Sequence, residues 1–180
     1  MKSVNPRAAE SALRTPHSAL AIVALGSNLG DPKRIILEVM ARLQGFSDRP
    51  ILKSSLWQTS PVDCPPGSPM FVNAVVGLVP KKNETPESLQ EKLRLIEEEF
   101  GRRPKKVPNE PRPLDLDLIS FGGEARNSSE LTLPHPRAHL RRFVLEPLRE
   151  IAPDIILPGQ GKTVAQLLAG LASDEVLKRI

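Results

Sequence analysis

The sequence predicts an α+β fold with a mainly antiparallel sheet, on three observations. Four apolar stretches have the length and patterning of strands. Two stretches between them carry helical periodicity behind a capping residue and a proline. Together they run β-α-β-β-α-β, the ferredoxin-like order, followed here by extra C-terminal helices.

Residues 19–25 (ALAIVAL) form a continuous apolar run and are expected to be a buried strand. Gly26-Ser27-Asn28-Leu29-Gly30 reads as a turn. Asp31 as N-cap and Pro32 at the first position open a helix. Its stripe is Ile36, Val39, Met40 and Leu43, and Gly45 is expected to end it. Residues 51–58 are the second strand, and residues 59–69, with four prolines and Gly67, a long loop. Residues 71–79 (FVNAVVGLV) are the third strand. Thr85-Pro86-Glu87 begins the second helix, with Leu89, Leu93, Ile96 and Phe100 as its buried face and Gly101 at its end. Gln90, Arg94 and Glu97 flank that face at spacings of four and three.

Residues 102–113 form a second proline-rich loop, and the alternating residues 114–121 the fourth strand. Residues 131–133 read as a short strand, and residues 137–151 and 163–171 as shorter helices. Residues 1–18, with two prolines and no periodicity, are expected to be a flexible extension ahead of a single domain at residues 19–180. Loops this long in a compact domain are usually functional or disordered.

Composition narrows the function classes. The 180 residues suffice for one core of this kind. No apolar run approaches the ~18 residues of a membrane helix, and residues 1–15 are too polar for a secretory signal. The single cysteine, Cys64, excludes an internal disulfide framework and a cysteine-based zinc site, and fits a reducing, cytoplasmic setting. Five phenylalanines, one tryptophan and no tyrosine argue against base stacking on a broad sheet surface. The charge is unevenly placed: Arg102, Arg103, Lys105, Lys106 and Arg112 stand against Glu110 alone, an excess equal to the net +4 of the chain.

The chemistry concentrates in Arg112-Pro113-Leu114-Asp115-Leu116-Asp117-Leu118. On a strand the three leucines share one face, and Asp115 and Asp117 share the other, about 7 Å apart. An isolated pair of this kind is commonly an ordinary polar outer face. Here a cationic loop runs directly into it. Carboxylates suited to Mg²⁺ therefore meet arginine and lysine, an arrangement that fits a polyphosphate. His135 and His139 are four apart, but Arg137, Arg141 and Arg142 beside them oppose a zinc site, and no third ligand is evident. His135 and Arg141 suit phosphate better. The Gly26–Gly30 segment lacks the Lys-Ser/Thr of a phosphate-binding loop and reads as a tight turn or a close approach of ligand to backbone. Asn73 interrupts an apolar strand, where its amide either bonds neighbouring loops or reads a flat heterocycle. Phe71 shares its face, and Phe143 can approach from the C-terminal helix; each taken alone is a core residue.

With these residues in place, the chain resembles the 6-hydroxymethyl-7,8-dihydropterin pyrophosphokinase family. The matching segments are ALGSNLG (24–30), SSLWQTSPV (54–62), FVNAV (71–75), PRPLDLDL (111–118) with Phe121-Gly122, and LPHPRAHLRRF (133–143), in the family's order over residues 19–158. The resemblance implies a Mg²⁺-dependent enzyme of folate biosynthesis that transfers the β,γ-pyrophosphoryl group of ATP to the pterin hydroxymethyl group and releases AMP. Two Mg²⁺ ions would be held by Asp115 and Asp117, with Arg112, His135 and Arg141 as further catalytic residues. The pterin would lie between Phe71 and Phe143, with Asn73 on its polar edge and Gly26, Thr59, Pro61 and Val62 around it. ATP contacts would come from Gln90, Arg94, Glu97, Arg102, Arg112, Leu118, Thr132, His135 and Arg141. A monomer without nucleic acid or membrane as partner is expected.

The chain departs from the family at Asn109, where a tryptophan is common, at Pro104 and Pro108, where arginines are, and at Pro136, where an aromatic is. Which of Arg103, Lys105 and Lys106 meets phosphate is left open by these departures. The competing readings are an RNA-binding module of the same strand order, a Mg²⁺-dependent phosphohydrolase and an inactive relative. Without a metal, Asp115 and Asp117 would repel RNA, and a heterocycle pocket is superfluous to a hydrolase.

Overall fold

The computed structural model describes residues 20–103, 107 and 109–180. The expected extension at residues 1–18, the start of the first strand at Ala19, and Pro104, Lys105, Lys106 and Pro108 lie outside the described residues.

Strand β1 (Ala21–Ser27) runs two residues beyond the expected end, because Gly26 and Ser27 pair with Asn73 and Val72 of β4 (Phe71–Leu78) instead of turning. Helix α1 (Pro32–Leu43) starts as its sequence dictates: the Asp31 side chain accepts from Arg34 N at 3.2 Å. It buries Ile35 along with the expected stripe. Gly45 does not stop it; residues Gln44–Phe46 continue as a 3-10 turn.

The expected strand 51–58 is broken into β2 (Leu52–Lys53) and β3 (Trp57–Thr59). Leu52 pairs with Gly77 and Trp57 with Asn73, so the β2–β3 segment carries one extra residue opposite β4, a β-bulge. Ser54 starts it: its N–H donates to Val75 O at 3.0 Å, and its hydroxyl, in place of a carbonyl, accepts from Val75 N at 2.9 Å. Ser55 N then turns to Glu150 at 2.7 Å.

Helix α2 (Pro86–Glu99) opens on a reciprocal box between Thr85 and Ser88, buries Leu89, Leu93 and Ile96, and ends before Gly101 at φ +90°. Strand β5 (Asp115–Phe121) follows the second loop, and β6 (Arg126–Asn127), which no local pattern announces, pairs with β7 (Thr132–Leu133). The helix expected over 137–151 is broken at Arg141. A 3-10 turn (Ala138–Leu140) precedes it, its backbone is extended (φ −112°, ψ 113°), and α3 (Arg142–Ile151) begins after it. The break is possible because a distant carboxylate, Glu175, receives the first N–H groups of α3. Helix α4 (Val164–Ala169) is shorter than expected, and β8 (Leu177–Arg179), which was not expected, pairs with β3.

The sheet order is β5-β1-β4-β3-β8, all antiparallel, with β2 also on β4. This is the ferredoxin-like arrangement extended by one edge strand. Alternation sorts the side chains. Val23, Leu25, Val72, Val76, Leu116 and Leu118 pack under α1 and α2. Ile22, Val75 and Ile119 pack against Val144, Leu145 and Leu148 of α3. Burial of Leu116 and Leu118, worth about 1.5–3 kcal/mol for each side chain, commits Asp115 and Asp117 to the opposite face. No helix among the described residues is long and apolar enough to cross a membrane.

Candidate active site

A cleft of about 290 Å³ opens on that face, at the end of the sheet where β1 finishes and β5 begins. Ala24, Gly26, Phe71, Asn73, Asp115 and Asp117 form its floor. His135, Arg137, Arg141 and Phe143 form one wall. Thr59, Ser60, Val62, Asp63 and Cys64 come from the first proline-rich loop, and Arg102, Asn109 and Arg112 from the second.

One end of the cleft is ionic. Asp115 Oδ1 lies 3.2 Å from Nη1 of both Arg102 and Arg112. Arg102 also bonds Glu97, a nearly buried carboxylate that accepts from Leu116 N at 2.7 Å. Desolvation pushes Glu97 up to about 7, with the charge of Asp115 adding and the Leu116 amide and Arg102 opposing. Asp117 Oδ2 lies 3.6 Å from Arg141 Nη1 and 4.0 Å from His135 Nε2. The enclosing walls raise the Asp117 pKa, the charge of Asp115 raises it further, and His135, Arg141 and Arg102 pull the other way. Desolvation holds His135 below its ordinary range against the pull of Asp117, with Arg141 and Arg137 adding to the shift. Burial likewise raises the Cys64 thiol, which donates to Val62 O at 3.2 Å.

These residues fit a hard divalent cation bound together with phosphate. Two neighbouring carboxylates share the floor, enclosure disfavours the charge of Asp117, guanidinium groups ring the pair, and Arg112 Nε is buried without a hydrogen-bond partner among the described residues. Mg²⁺ is commonly held by one or two carboxylates plus substrate oxygens. The described residues contain no cluster of three or more His, Cys, Asp or Glu able to hold a metal alone. His139 lies in the 3-10 turn, away from the cleft that His135 lines, so the two histidines do not form a pair.

The other end is apolar and amide-bearing. Asn73 Nδ2 donates to Thr59 Oγ1 at 2.6 Å, and Asn73 Oδ1 rests against Gly26. Phe71 and Phe143 both line the space beside it, and Arg141 Cζ stands 5.4 Å from the centre of the Phe143 ring. Two loop contacts brace the mouth. Asn109 Nδ2 donates to Asp63 O at 2.8 Å. Asn28 accepts from Arg112 N at 2.8 Å and donates to Pro69 O at 3.3 Å.

Of the residues singled out from sequence, six lie off the lining: Pro61, Gln90, Arg94, Glu97, Leu118 and Thr132. Arg94 is engaged with Glu91 and Glu98 on the surface of α2, Glu97 lies beneath Arg102, and the Leu118 side chain is in the core. Sequence reasoning missed Asp63 and Arg137 on the lining and Asn28 behind it. Asn28 stood within a segment read as a turn, and only its bonds across 84 and 41 residues reveal its place.

Comparison with known proteins shows the family and the fold. The family model for 7,8-dihydro-6-hydroxymethylpterin-pyrophosphokinase (HPPK) matches residues 22–153. A 2-amino-4-hydroxy-6-hydroxymethyldihydropteridine pyrophosphokinase of Synechocystis sp. is 39% identical over 149 residues, covering 82% of this chain and 74% of the relative. One from Pseudomonas aeruginosa is 38% identical over 151 residues, covering 82% and 88%. Among solved structures, a Plasmodium falciparum HPPK-DHPS protein with pteroate superposes at a TM-score of 0.65 with 15% identity, a likeness of fold. It covers 83% of this chain, which spans 42% of that protein.

Proposed function

The chain belongs to the 7,8-dihydro-6-hydroxymethylpterin-pyrophosphokinase family, and from that premise we propose how its cleft works. The protein is an enzyme of folate biosynthesis that transfers pyrophosphate from ATP to the hydroxymethyl group of 6-hydroxymethyl-7,8-dihydropterin. Neither RNA binding nor simple phosphate hydrolysis draws support from the family match.

The observation that carries the mechanism is a juxtaposition. Asp115 and Asp117 open on the same small cleft as Phe71, Asn73 and Phe143, so a polyphosphate and a flat heterocycle can be held end to end. The pterin ring would lie between Phe71 and Phe143, where offset stacking is worth about 0.5–1.5 kcal/mol beyond burial. Asn73 and Thr59 would read its polar edge. Since Asn73 already donates to Thr59 Oγ1, its Oδ1 is the atom left to accept from a ring N–H.

Asp115 and Asp117 would hold Mg²⁺, two ions in the full reading, with ATP phosphate oxygens completing the coordination. The metal, when bound, neutralises phosphate charge and acidifies the attacking hydroxyl. Arg112 and Arg102, already beside Asp115, would pair phosphate oxygens at one end. Arg141 and His135, beside Asp117, would pair them at the other. Transfer of this kind depends on positioning and charge neutralisation, and fixed guanidinium groups supply both without reorganising. Gln90, Arg94, Leu118 and Thr132, off the present lining, would reach ATP only through its distal parts or through backbone atoms.

We extend the reading to a monomer acting in the cytoplasm, without nucleic acid or membrane partners. The test is an assay with Mg-ATP, with and without the pterin, resolving AMP from ADP. AMP formed in step with a pyrophosphorylated pterin is expected. ADP, or nucleotide breakdown indifferent to the pterin, would overturn the reading.

A further inference from the structure

Residues 154–180 lie beyond the span matched by the family model, yet their last stretch reaches two walls of the cleft. Glu175 sets one carboxylate oxygen 3.3 Å from Arg142 N and the other 3.0 Å from Phe143 N. Those N–H groups open α3, and Arg141, the N-cap residue, supplies no side-chain hydrogen bond of its own. The first N–H groups of a helix have no internal partners, and a carboxylate there satisfies them and complements the helix dipole. The next residue holds the opposite wall: Ser60 N donates to Val176 O at 3.0 Å, and Val176 N donates to Ser60 Oγ at 3.1 Å. Leu177 then pairs with Thr59, the partner of Asn73. One segment thus spans from Phe143 to Thr59.

We propose that Glu175 is a positioning residue of the pterin pocket. Its carboxylate, seated on the start of α3, sets the place of Phe143 opposite Phe71, while β8 behind it sets Thr59 and Ser60. The proposal deepens the function given above and rests on Phe143 being a stacking face for the pterin. A cap with no role beyond stability would leave the pocket unaltered when removed; a positioning cap would not.

The test uses the full chain. With a non-hydrolysable ATP analogue and Mg²⁺ present, 6-hydroxymethylpterin is titrated by fluorescence; the analogue is titrated separately, and melting is recorded. Glu175→Ala is expected to weaken pterin binding about fivefold, the change that results if the ~1 kcal/mol a helix cap contributes falls on the pterin-bound state, with ATP-analogue affinity unchanged. Glu175→Gln, which keeps one accepting oxygen, is expected to recover most of the loss. Unchanged pterin affinity, or equal losses for both ligands, overturns the proposal. Should Glu175→Ala not fold, Glu175→Asp, a methylene too short to reach both N–H groups, is measured the same way, and pterin affinity equal to wild type overturns it. Phe143→Ala in parallel separates the two claims. If it leaves pterin affinity intact, the stacking reading itself has failed. If it weakens the pterin while Glu175→Ala does not, the positioning claim alone has failed.

Discussion

A Cβ on Gly26 would stand 2.9 Å from Oδ1 of Asn73, its partner across the β1–β4 ladder. Real Cβ atoms do not sit that close, so a side chain at this position must push the amide aside. Asn73 cannot yield freely, because its Nδ2 is bonded to Thr59 at 2.6 Å and the residue is buried. Gly26→Ala is therefore expected to weaken pterin binding about tenfold, roughly one hydrogen bond, and to leave ATP binding unaltered. Isothermal titration with each ligand checks this; unaltered pterin affinity would remove Asn73 from the recognition of the ring.

Asp117 differs from Asp115 in its company. Asp115 is braced by two guanidinium groups at 3.2 Å, whereas Asp117 has one, Arg141, at 3.6 Å and the imidazole of His135 at 4.0 Å. Its charge is the less compensated, and enclosure raises its pKa. Asp117→Asn is expected to lower kcat at least about 100-fold, the scale of losing one charge-stabilising group. Without Mg²⁺ it should leave the melting temperature unchanged or higher, because an unfavourable charge has gone. Retained turnover would remove Asp117 from the metal set, and a marked fall in melting temperature would make it structural.

Much of this was legible in the sequence, for reasons that differ by residue. Strict alternation in Leu114–Leu118 places the aspartates on one face whatever the tertiary context. Asp31-Pro32 and Thr85-Pro86 mark helix starts because caps act locally. The misses are tertiary. The break at Arg141 depends on Glu175, 34 positions along the chain, and the bulge after Lys53 on a serine hydroxyl bonded to Val75. Strand β8 carries no apolar alternation that a short window detects, since Lys178 and Arg179 are exposed; only the open edge of β3 calls for it.

Glu97 gives the folded protein a pH signature. Its pKa, pushed up to about 7 by burial, lies above the ordinary 4.5 expected once unfolded. A raised folded-state value means that the fold favours the protonated acid. Its contribution to stability is full below about pH 4.5 and is lost as pH rises through 7, an amount on the order of 3 kcal/mol. Glu97→Gln, neutral at every pH and still able to accept from Leu116 N, should flatten that decline. Melting curves of the ligand-free protein between pH 4.5 and 8 test it. Parallel wild-type and variant profiles would show that Arg102 compensates the buried charge fully.

Asn28 offers the cleanest separation of stability from catalysis. Its backbone N–H donates to Arg112 O, its Oδ1 accepts from Arg112 N, and its Nδ2 reaches Pro69 O, so one buried amide joins the starts of two walls. Asn28→Ala removes the side-chain partners of Arg112 N, on a half-buried residue, and of Pro69 O, on an exposed one that water can reach, which costs about 0.5–1.5 kcal/mol, the net scale of a hydrogen bond. It also removes one of the two bonds by which Asn28 holds the backbone that carries the Arg112 guanidinium to Asp115, leaving only the backbone bond to Arg112 O. The expected result is a lower melting temperature together with a loss of about tenfold in kcat/KM, measured well below the transition, on the scale of a displacement smaller than the ~1 Å that can cost far more. Loss of stability with full activity at low temperature would mean that Arg112 finds its place through Asp115 alone, and that Asn28 serves the fold and not the reaction.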